Sequence, residues 1–329
     1  MALSIFSTHP LHSQVTEALA AIGRYRVASA PVAEAIAEES AGADVIVVRA
    51  PIPPRVIGRL PGLRALVRHG AGLDMIPMDV ATRAGVLVAN VPGANAVTVA
   101  EHAIWSALAL LRRYPQVNGD LRAQGWAAGR AHSDAGREVT GRTIGILGMG
   151  NVGQALARIA SGGFGMSVLC HTRSPGRVPD GMTAAALDDM LEGSDIVALC
   201  CPLTEATRGL IGEAALARMR PGAVLVNVAR GPVVDEAALI GALRSGHLAG
   251  AALDVFDTQP LPPDHPLMAL PNVILTPHMA GITEESMLRM GQGVVDAIRC
   301  IDAGTLPGTL VNPDAVPLYR QRFGLPGPA

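Results

Sequence analysis

The sequence predicts an α/β protein of two domains, each a doubly wound parallel sheet. Three observations carry that expectation. Short β-branched runs alternate with Ala/Leu/Glu-rich helical patterns from end to end, the signature of βαβ units. The alternation falls into two blocks, separated by a long apolar helix and a polar connection. The second block opens on a glycine-rich turn between a strand and a helix. At 329 residues and 49% hydrophobic, the chain has enough material for two cores of ordinary domain size.

In the first block SIFSTH, YRVAS, DVIVVRA, LRALVRHG and VLVANV read as strands, with QVTEALAAIG and APVAEAIAEES as helices between them. The block closes near Pro92-Gly93, a pair that interrupts regular structure. A helix from about Ala96 to Arg113 follows, then GWAAGRAHSDAGREVTG as a polar connection. The second block runs through TIGILGMG, MSVLCHT, DIVALCCP, AVLVNVAR, GAALDVF and NVILTPH, six strands in the manner of a complete dinucleotide-type domain. A last helix, about Thr283 to Ala303, precedes a Pro-rich tail. Within that tail LVNPDAVP has strand and turn character, and it is expected to return to the first block.

Charge and composition exclude several functions. The net charge of −2 is spread without a basic block, so no nucleic-acid or membrane-surface partner is expected. All the positive charge is arginine and no lysine occurs, which excludes Schiff-base chemistry and a phosphate-loop lysine. Cys170, Cys200, Cys201 and Cys300 form no CxxC pair and no zinc spacing with histidines. They read as buried free thiols of a cytoplasmic protein, with no metal site. The N-terminus lacks the basic region and apolar run of a signal peptide, and AIWSALALL is too short to cross a bilayer.

The glycine-rich turn points to a dinucleotide. In GRTIGILGMGNVGQALARIA, Gly148, Gly150 and Gly153 follow a strand and open a helix. The first permits the tight turn, the second lets backbone approach a pyrophosphate, and the third allows close helix–strand packing. An NAD site normally ends its next strand in a carboxylate for the ribose hydroxyls. Here that strand ends at His171-Thr172-Arg173, with no acid. Thr172 leaves room, and Arg173, with Ser174 or Arg177, can pair with a 2′-phosphate. The expected cofactor is therefore NADP in preference to NAD.

Ligands of open α/β sheets collect beyond the carboxyl ends of the strands. Three strand ends carry chemistry: AVLVNVARG ends in Arg230, AALDVFDTQP passes Asp254 and reaches Gln259, and NVILTPH ends in His278. An arginine fork can hold a substrate carboxylate while polarising the neighbouring carbonyl. A histidine can donate a proton as hydride arrives. Arg230 and His278, which share a layer of strand ends, are therefore the first catalytic candidates.

With these residues in place, the chain resembles the D-2-hydroxyacid dehydrogenase superfamily over nearly its whole length. The matching stretches are VRHGAGLDMIPMD, NVPGANAVTVAEHAI, GRTIGILGMGNVGQALA, CPLTEATRGLI, NVARGPVVDEAAL, GAALDVF and ILTPHMAG. The resemblance implies a flavodoxin-like substrate domain over residues 1–95 plus 285–329, a Rossmann domain over residues 96–284, and an active site in the cleft between them. It implies that amides around Ala71 and Gly72 receive the substrate carboxylate, that Arg230 binds carboxylate and carbonyl, and that His278 is the acid/base. Asp254 would face the nicotinamide carboxamide and Pro202 would form part of the adenosine wall. Thr98, Asn151, Val152, Cys201, Thr207, Ala229, Arg230, His278, Ala280 and Gly281 would complete the cofactor lining. The substrate would be a small 2-keto or 2-hydroxy acid, as in glyoxylate or hydroxypyruvate reductases. A homodimer is implied, with the helix near AEHAIWSALALLRR in its interface.

One position departs from the family pattern. The usual triad is arginine, glutamate and histidine, and Gln259 stands where the glutamate is expected. A carboxylate about 4 Å from an imidazolium attracts it by roughly 4 kcal/mol at an effective dielectric near 20, before desolvation. Glutamine orients the ring without supplying that charge. The expectation is a 2-ketoacid reductase that favours a more acidic medium. Two alternatives remain open. A formate dehydrogenase-like reaction resembles QPLPPDHP and the Gln–His pair, with Asn95 of PGANAVTVAEH as the formate ligand. A dinucleotide-sensing corepressor, resembling the C-terminal binding proteins, would act through partner binding instead. Arg68 and His69, before the GAG turn, could receive a second anionic group of the substrate, but the favoured expectation is a strand end facing solvent. Asp264 and His265 read as turn residues.

Overall fold

The computed structural model describes residues 2–325. The chain forms two compact units, Met1–Asn95 with Thr283–Ala329, and Ala96–Ile282.

The first unit holds five strands: β1 (Leu3–Ser7), β2 (Gly23–Val27), β3 (Val45–Val48), β4 (Ala65–Arg68) and β5 (Leu87–Ala89). All pair in parallel in the order β2-β1-β3-β4-β5, which is the flavodoxin-like doubly wound order. Alternate residues enter opposite cores. Val45 and Val47 join one apolar cluster and Ile46 and Val48 the other, because successive strand side chains point to opposite faces. All four are fully buried, each worth roughly 1.5–3 kcal/mol relative to an exposed side chain.

The tail packs on this unit. Helix Glu284–Asp302 begins at a reciprocal cap, in which Thr283 Oγ1 accepts from Ser286 N–H and Ser286 Oγ accepts from Thr283 N–H. Its residues Val294, Ala297, Ile298 and Ile301 sit in the same cluster as Val45 and Val47. Leu310 then bridges antiparallel to Ala89. The Asn312 side chain accepts from Val88 N–H at 2.7 Å and donates to Val86 O at 3.0 Å. Arg322 donates to the carbonyls of Ala84, Gly85, Pro61 and Leu63.

The second unit holds β6 (Thr143–Leu147), β7 (Ser167–His171), β8 (Thr183–Ala184), β9 (Ile196–Leu199), β10 (Val224–Asn227), β11 (Gly250–Leu253) and β12 (Val273–Leu275). The parallel order is β12-β11-β10-β9-β6-β7-β8. Strand order reverses at β6, the topological switch point where such sheets bind dinucleotides. The two faces again carry separate cores, with Val224 and Val226 on one and Leu225 on the other.

Two differences from the sequence reading have physical causes. Strand β8 escaped notice because it is two exposed residues of TAAA at a sheet edge, where β propensity and burial are both low. The stretch after Leu111 contains helices Tyr114–Gln124 and Trp126–Arg130, part of which was expected as an irregular connection. The first of these has no buried residue, so no apolar periodicity marks it.

Candidate active site

The glycine turn lies at the switch point. Gly148 has φ +100°, and a Cβ there would come within 2.8 Å of the Cys201 backbone. A Cβ on Gly153 would fall 2.0 Å from the Gly148 carbonyl oxygen. Gly148 must therefore be glycine to pass the loop after β9, and Gly153 to bring helix Asn151–Phe164 against the end of β6. Gly150 differs: nothing lies within 4 Å of its absent Cβ, which leaves open space in front of the turn. The amides of Asn151, Val152 and Gly153 donate to no atom of the described residues, the first helical bond at this end being Gln154 N–H to Gly150 O. Free amides at a helix N-terminus, facing open space, suit a pyrophosphate.

Beyond β7 the chain turns at Thr172, whose Oγ1 accepts from Ser174 N–H at 3.1 Å. No carboxylate stands there, and Arg173 and Ser174 are exposed. Burial pushes the Cys201 thiol up while the Arg173 guanidinium opposes that rise, so the arginine's charge sits beside the loop after β9. In that loop Thr207 Oγ1 donates to Pro202 O at 2.8 Å and accepts from Thr204 N–H at 2.8 Å, fixing the segment that carries Cys201 and Pro202.

Arg230, Gln259 and His278 follow β10, β11 and β12, three consecutive parallel strands, and so share one edge of the sheet. The Arg230 loop is held by Asn227, 1% exposed, which donates to Arg230 O and accepts from Ala229 N–H, both at 3.0 Å. The Arg230 guanidinium also donates to Ala229 O at 2.6 Å. Gln259 donates through Nε2 to Phe256 O at 3.4 Å, which turns its Oε1 toward His278 Nδ1 at 3.1 Å. That assignment makes Nδ1 the donor and leaves Nε2 for proton exchange. The two side chains meet through a hydrogen bond without net charge on the glutamine.

Asp254 holds His278 in place. It is 3% exposed; its Oδ1 accepts from Thr276 Oγ1 at 2.7 Å and Met279 N–H at 2.8 Å, and its Oδ2 accepts from Ala280 N–H at 2.9 Å. The Asp254 carbonyl accepts from His278 N–H at 2.9 Å. These bonds keep His278 at φ +54°, a left-handed conformation that costs a non-glycine residue roughly 1–2 kcal/mol. Behind them His102 Nε2 lies 3.3 Å from Thr276 Oγ1, tying helix Ala96–Leu111, which also carries buried Thr98, to the end of β12.

In the other unit, Ala71 and Gly72 follow β4. The Asn90 side chain donates to Ala71 O at 2.9 Å, and Arg68 Nε donates to Gly72 O at 3.0 Å. Asn95 closes this unit, half-buried. The solvent-facing expectation for Arg68 and His69 is corrected. His69 is 3% exposed, and Arg68 donates to Val48 O at 3.0 Å and His69 O at 2.6 Å. Burial, then the charges of Arg49 and Arg68, lower the His69 pKa from 6.5 to about 4. Unfolded His69 takes a proton near pH 6.5 that the folded residue refuses until about pH 4, so stability falls as pH drops through that window, by about 3 kcal/mol. His69→Gln is expected to flatten that part of the denaturant-midpoint-versus-pH curve; an unchanged slope would remove His69 from the acid response.

Asn227, Asn90, Thr276 and His102 were not singled out in the sequence. Asn227 alone had a signal there, as the polar end of the apolar run VLVN. The others act across elements far apart in the chain.

The fold and strand-end chemistry define a dinucleotide-dependent oxidoreductase, and comparison with known proteins specifies the family. Residues 104–280 match the family model for the D-isomer specific 2-hydroxyacid dehydrogenase NAD binding domain. A glyoxylate reductase of Korarchaeum cryptofilum is 40% identical over 277 residues, 83% of each chain. A D-3-phosphoglycerate dehydrogenase of Methanocaldococcus jannaschii is 36% identical over 98% of this chain, which spans only 61% of that protein's length. The crystal structure of an NADPH-dependent glyoxylate/hydroxypyruvate reductase from Sinorhizobium meliloti, 30% identical, superposes with a TM-score of 0.83 over 94% of this chain and 99% of that one. The chain belongs to the D-2-hydroxyacid dehydrogenase superfamily and is an NAD(P)-dependent 2-hydroxyacid dehydrogenase. The two parallel-sheet α/β domains expected from the sequence are borne out. Among the described residues no helix is long and apolar enough to cross a membrane.

Proposed function

We propose that the chain reduces a small 2-keto acid of the glyoxylate or hydroxypyruvate class to the 2-hydroxy acid, with NADPH preferred to NADH. The observation that carries this reading is the set of three adjacent strand ends bearing Arg230, Gln259 and His278, with the His278 ring oriented by Gln259. The nicotinamide, when bound, supplies the hydride to the ketone carbon. Arg230 pairs with the carboxylate and polarises the carbonyl. His278 gives its Nε2 proton to the carbonyl oxygen, and Gln259 keeps the ring in register. The Ala71 and Gly72 amides receive the carboxylate. Thr172, Arg173 and Ser174 accept the 2′-phosphate, a reading supported by the missing acid after β7 and by the named NADPH dependence of the Sinorhizobium relative.

Oxidation of NADPH and NADH, followed with glyoxylate, hydroxypyruvate and phenylpyruvate, tests the proposal. Turnover with at least one keto acid is expected, with NADPH favoured and Arg173→Ala removing that preference. No turnover would sink the function, and an NADPH-to-NADH ratio at or below one would sink the cofactor preference. Formate oxidation outrunning keto-acid reduction would move the chain to the formate class.

The pH dependence follows from Gln259. Imidazolium is the form that donates, so reduction falls as pH rises through the His278 pKa. Gln259→Glu adds a carboxylate beside Nδ1, which favours the charged ring. The descending limb of kcat/KM is expected to move up by roughly one pH unit; an unmoved limb would place Gln259 outside proton transfer.

We also propose a homodimer in the cytoplasm. Val97, Trp105, Tyr114, Leu121 and Trp126 are exposed apolar side chains within one segment, Trp126 by 77%, and an apolar surface of this kind suits a second copy. Light scattering of the intact chain should give twice 33.9 kDa; the monomer mass would refute the pairing. The four free thiols suit a reducing compartment.

A further inference from the structure

We infer that Arg68 and Asn90 are positioning residues that build a carboxylate-binding nest from the backbone amides of Ala71, Gly72 and Leu73. This rests on the reading of Ala71 and Gly72 as carboxylate receivers, and it adds the third amide and the side chains that aim all three.

After β4 every carbonyl from His69 to Gly72 is held by a donor. His69 O accepts from Arg68 Nη1 at 2.6 Å, Gly70 O from Val91 N–H at 2.9 Å, Ala71 O from Asn90 Nδ2 at 2.9 Å, and Gly72 O from Arg68 Nε at 3.0 Å. A trans peptide sets each N–H opposite the preceding carbonyl. Fixing the carbonyls of Gly70, Ala71 and Gly72 therefore turns the N–H groups of Ala71, Gly72 and Leu73 away from those donors. None of these three amides donates to any atom of the described residues. Ala71 is exposed and its two successors are half-buried, so a ligand can reach them. Successive unpaired amides form a concavity suited to an anion.

Each tether is itself anchored. Arg68 Nη1 also donates to Val48 O at 3.0 Å, tying the turn to β3. Asn90 N–H donates to Thr309 O at 3.4 Å, so the returning tail fixes the residue that holds Ala71. The Arg68 guanidinium adds positive charge behind the turn. Lysine cannot reproduce this, because an ammonium lacks the planar fork that reaches several carbonyls at once.

The test uses the intact chain, with Arg68→Lys and Asn90→Ala. Carboxylate binding is made in ground and transition states alike, so its loss raises KM more than it lowers kcat. Both variants are expected to raise the glyoxylate KM about tenfold or more, with kcat changing far less and the NADPH KM unchanged. Amide NMR of the unmutated protein titrated with oxalate reads the nest without turnover: the Ala71, Gly72 and Leu73 resonances should move, and in Arg68→Lys should move only at higher oxalate. Oxalate response without turnover of any keto acid would uphold the nest and sink the catalytic reading. Amides that ignore oxalate, variants with the original KM, or variants that lose kcat alone would overturn the inference.

Discussion

His278→Ala is expected to lower kcat for keto-acid reduction by about a hundred- to ten-thousandfold, the range removed with a positioned general acid. The NADPH dissociation constant should change little, since the free amides of Asn151, Val152 and Gly153 lie at the far side of the sheet order from β12. The descending limb of the pH–rate profile should vanish with the imidazole. His278→Gln keeps a side chain able to hydrogen-bond but cannot exchange the proton, so it should be as poor as alanine. The measurement is pre-steady-state hydride transfer across pH. A variant that keeps its rate and its pH limb would assign the proton to another group.

Arg230→Ala is the second large effect. Removing the charged partner of a substrate carboxylate costs about 2–5 kcal/mol, or roughly thirty- to several-thousandfold in kcat/KM. Because Arg230 is also assigned to the carbonyl oxygen, the loss should appear in both kcat and KM. Arg230→Lys restores charge without the fork and is expected to recover only part of it. The control is Asn227→Ala. Asn227 pins the Arg230 backbone from both sides, so its loss should slow reduction less than loss of the guanidinium. Equal kcat/KM in Arg230→Ala and the parent would remove arginine from substrate binding.

Much of this was legible in the sequence, for a physical reason. Strands such as VIVV and VLVN are buried on both faces, so they read as unbroken apolar runs. Glycines with no room for a Cβ, and polar residues at the ends of such runs, mark themselves. The legibility ended where function depends on tethering. Nothing in RALVRHGAG announces that Arg68 turns back onto the carbonyls of Val48, His69 and Gly72, or that His69 is buried rather than facing solvent. Asp254 was expected as a cofactor contact, and the bonds from Thr276, Met279 and Ala280 give its carboxylate a second task that spacing does not encode. Helix Tyr114–Gln124 stayed hidden because none of its residues is fully buried, so no apolar stripe marks it.

The return of the tail to the first unit sets an order in time. As the polypeptide leaves the ribosome, β1 to β5 emerge before the Ala96–Ile282 unit, yet their sheet lacks the helix Glu284–Asp302 and the Asn312 bonds to Val86 and Val88 until that unit has been made. The contiguous Ala96–Ile282 unit has all its strands earlier. Domains fold as units during synthesis, so the second-made domain is the first that can finish. The first-made strands must wait, with an apolar face uncovered, for residues 284–312 to follow.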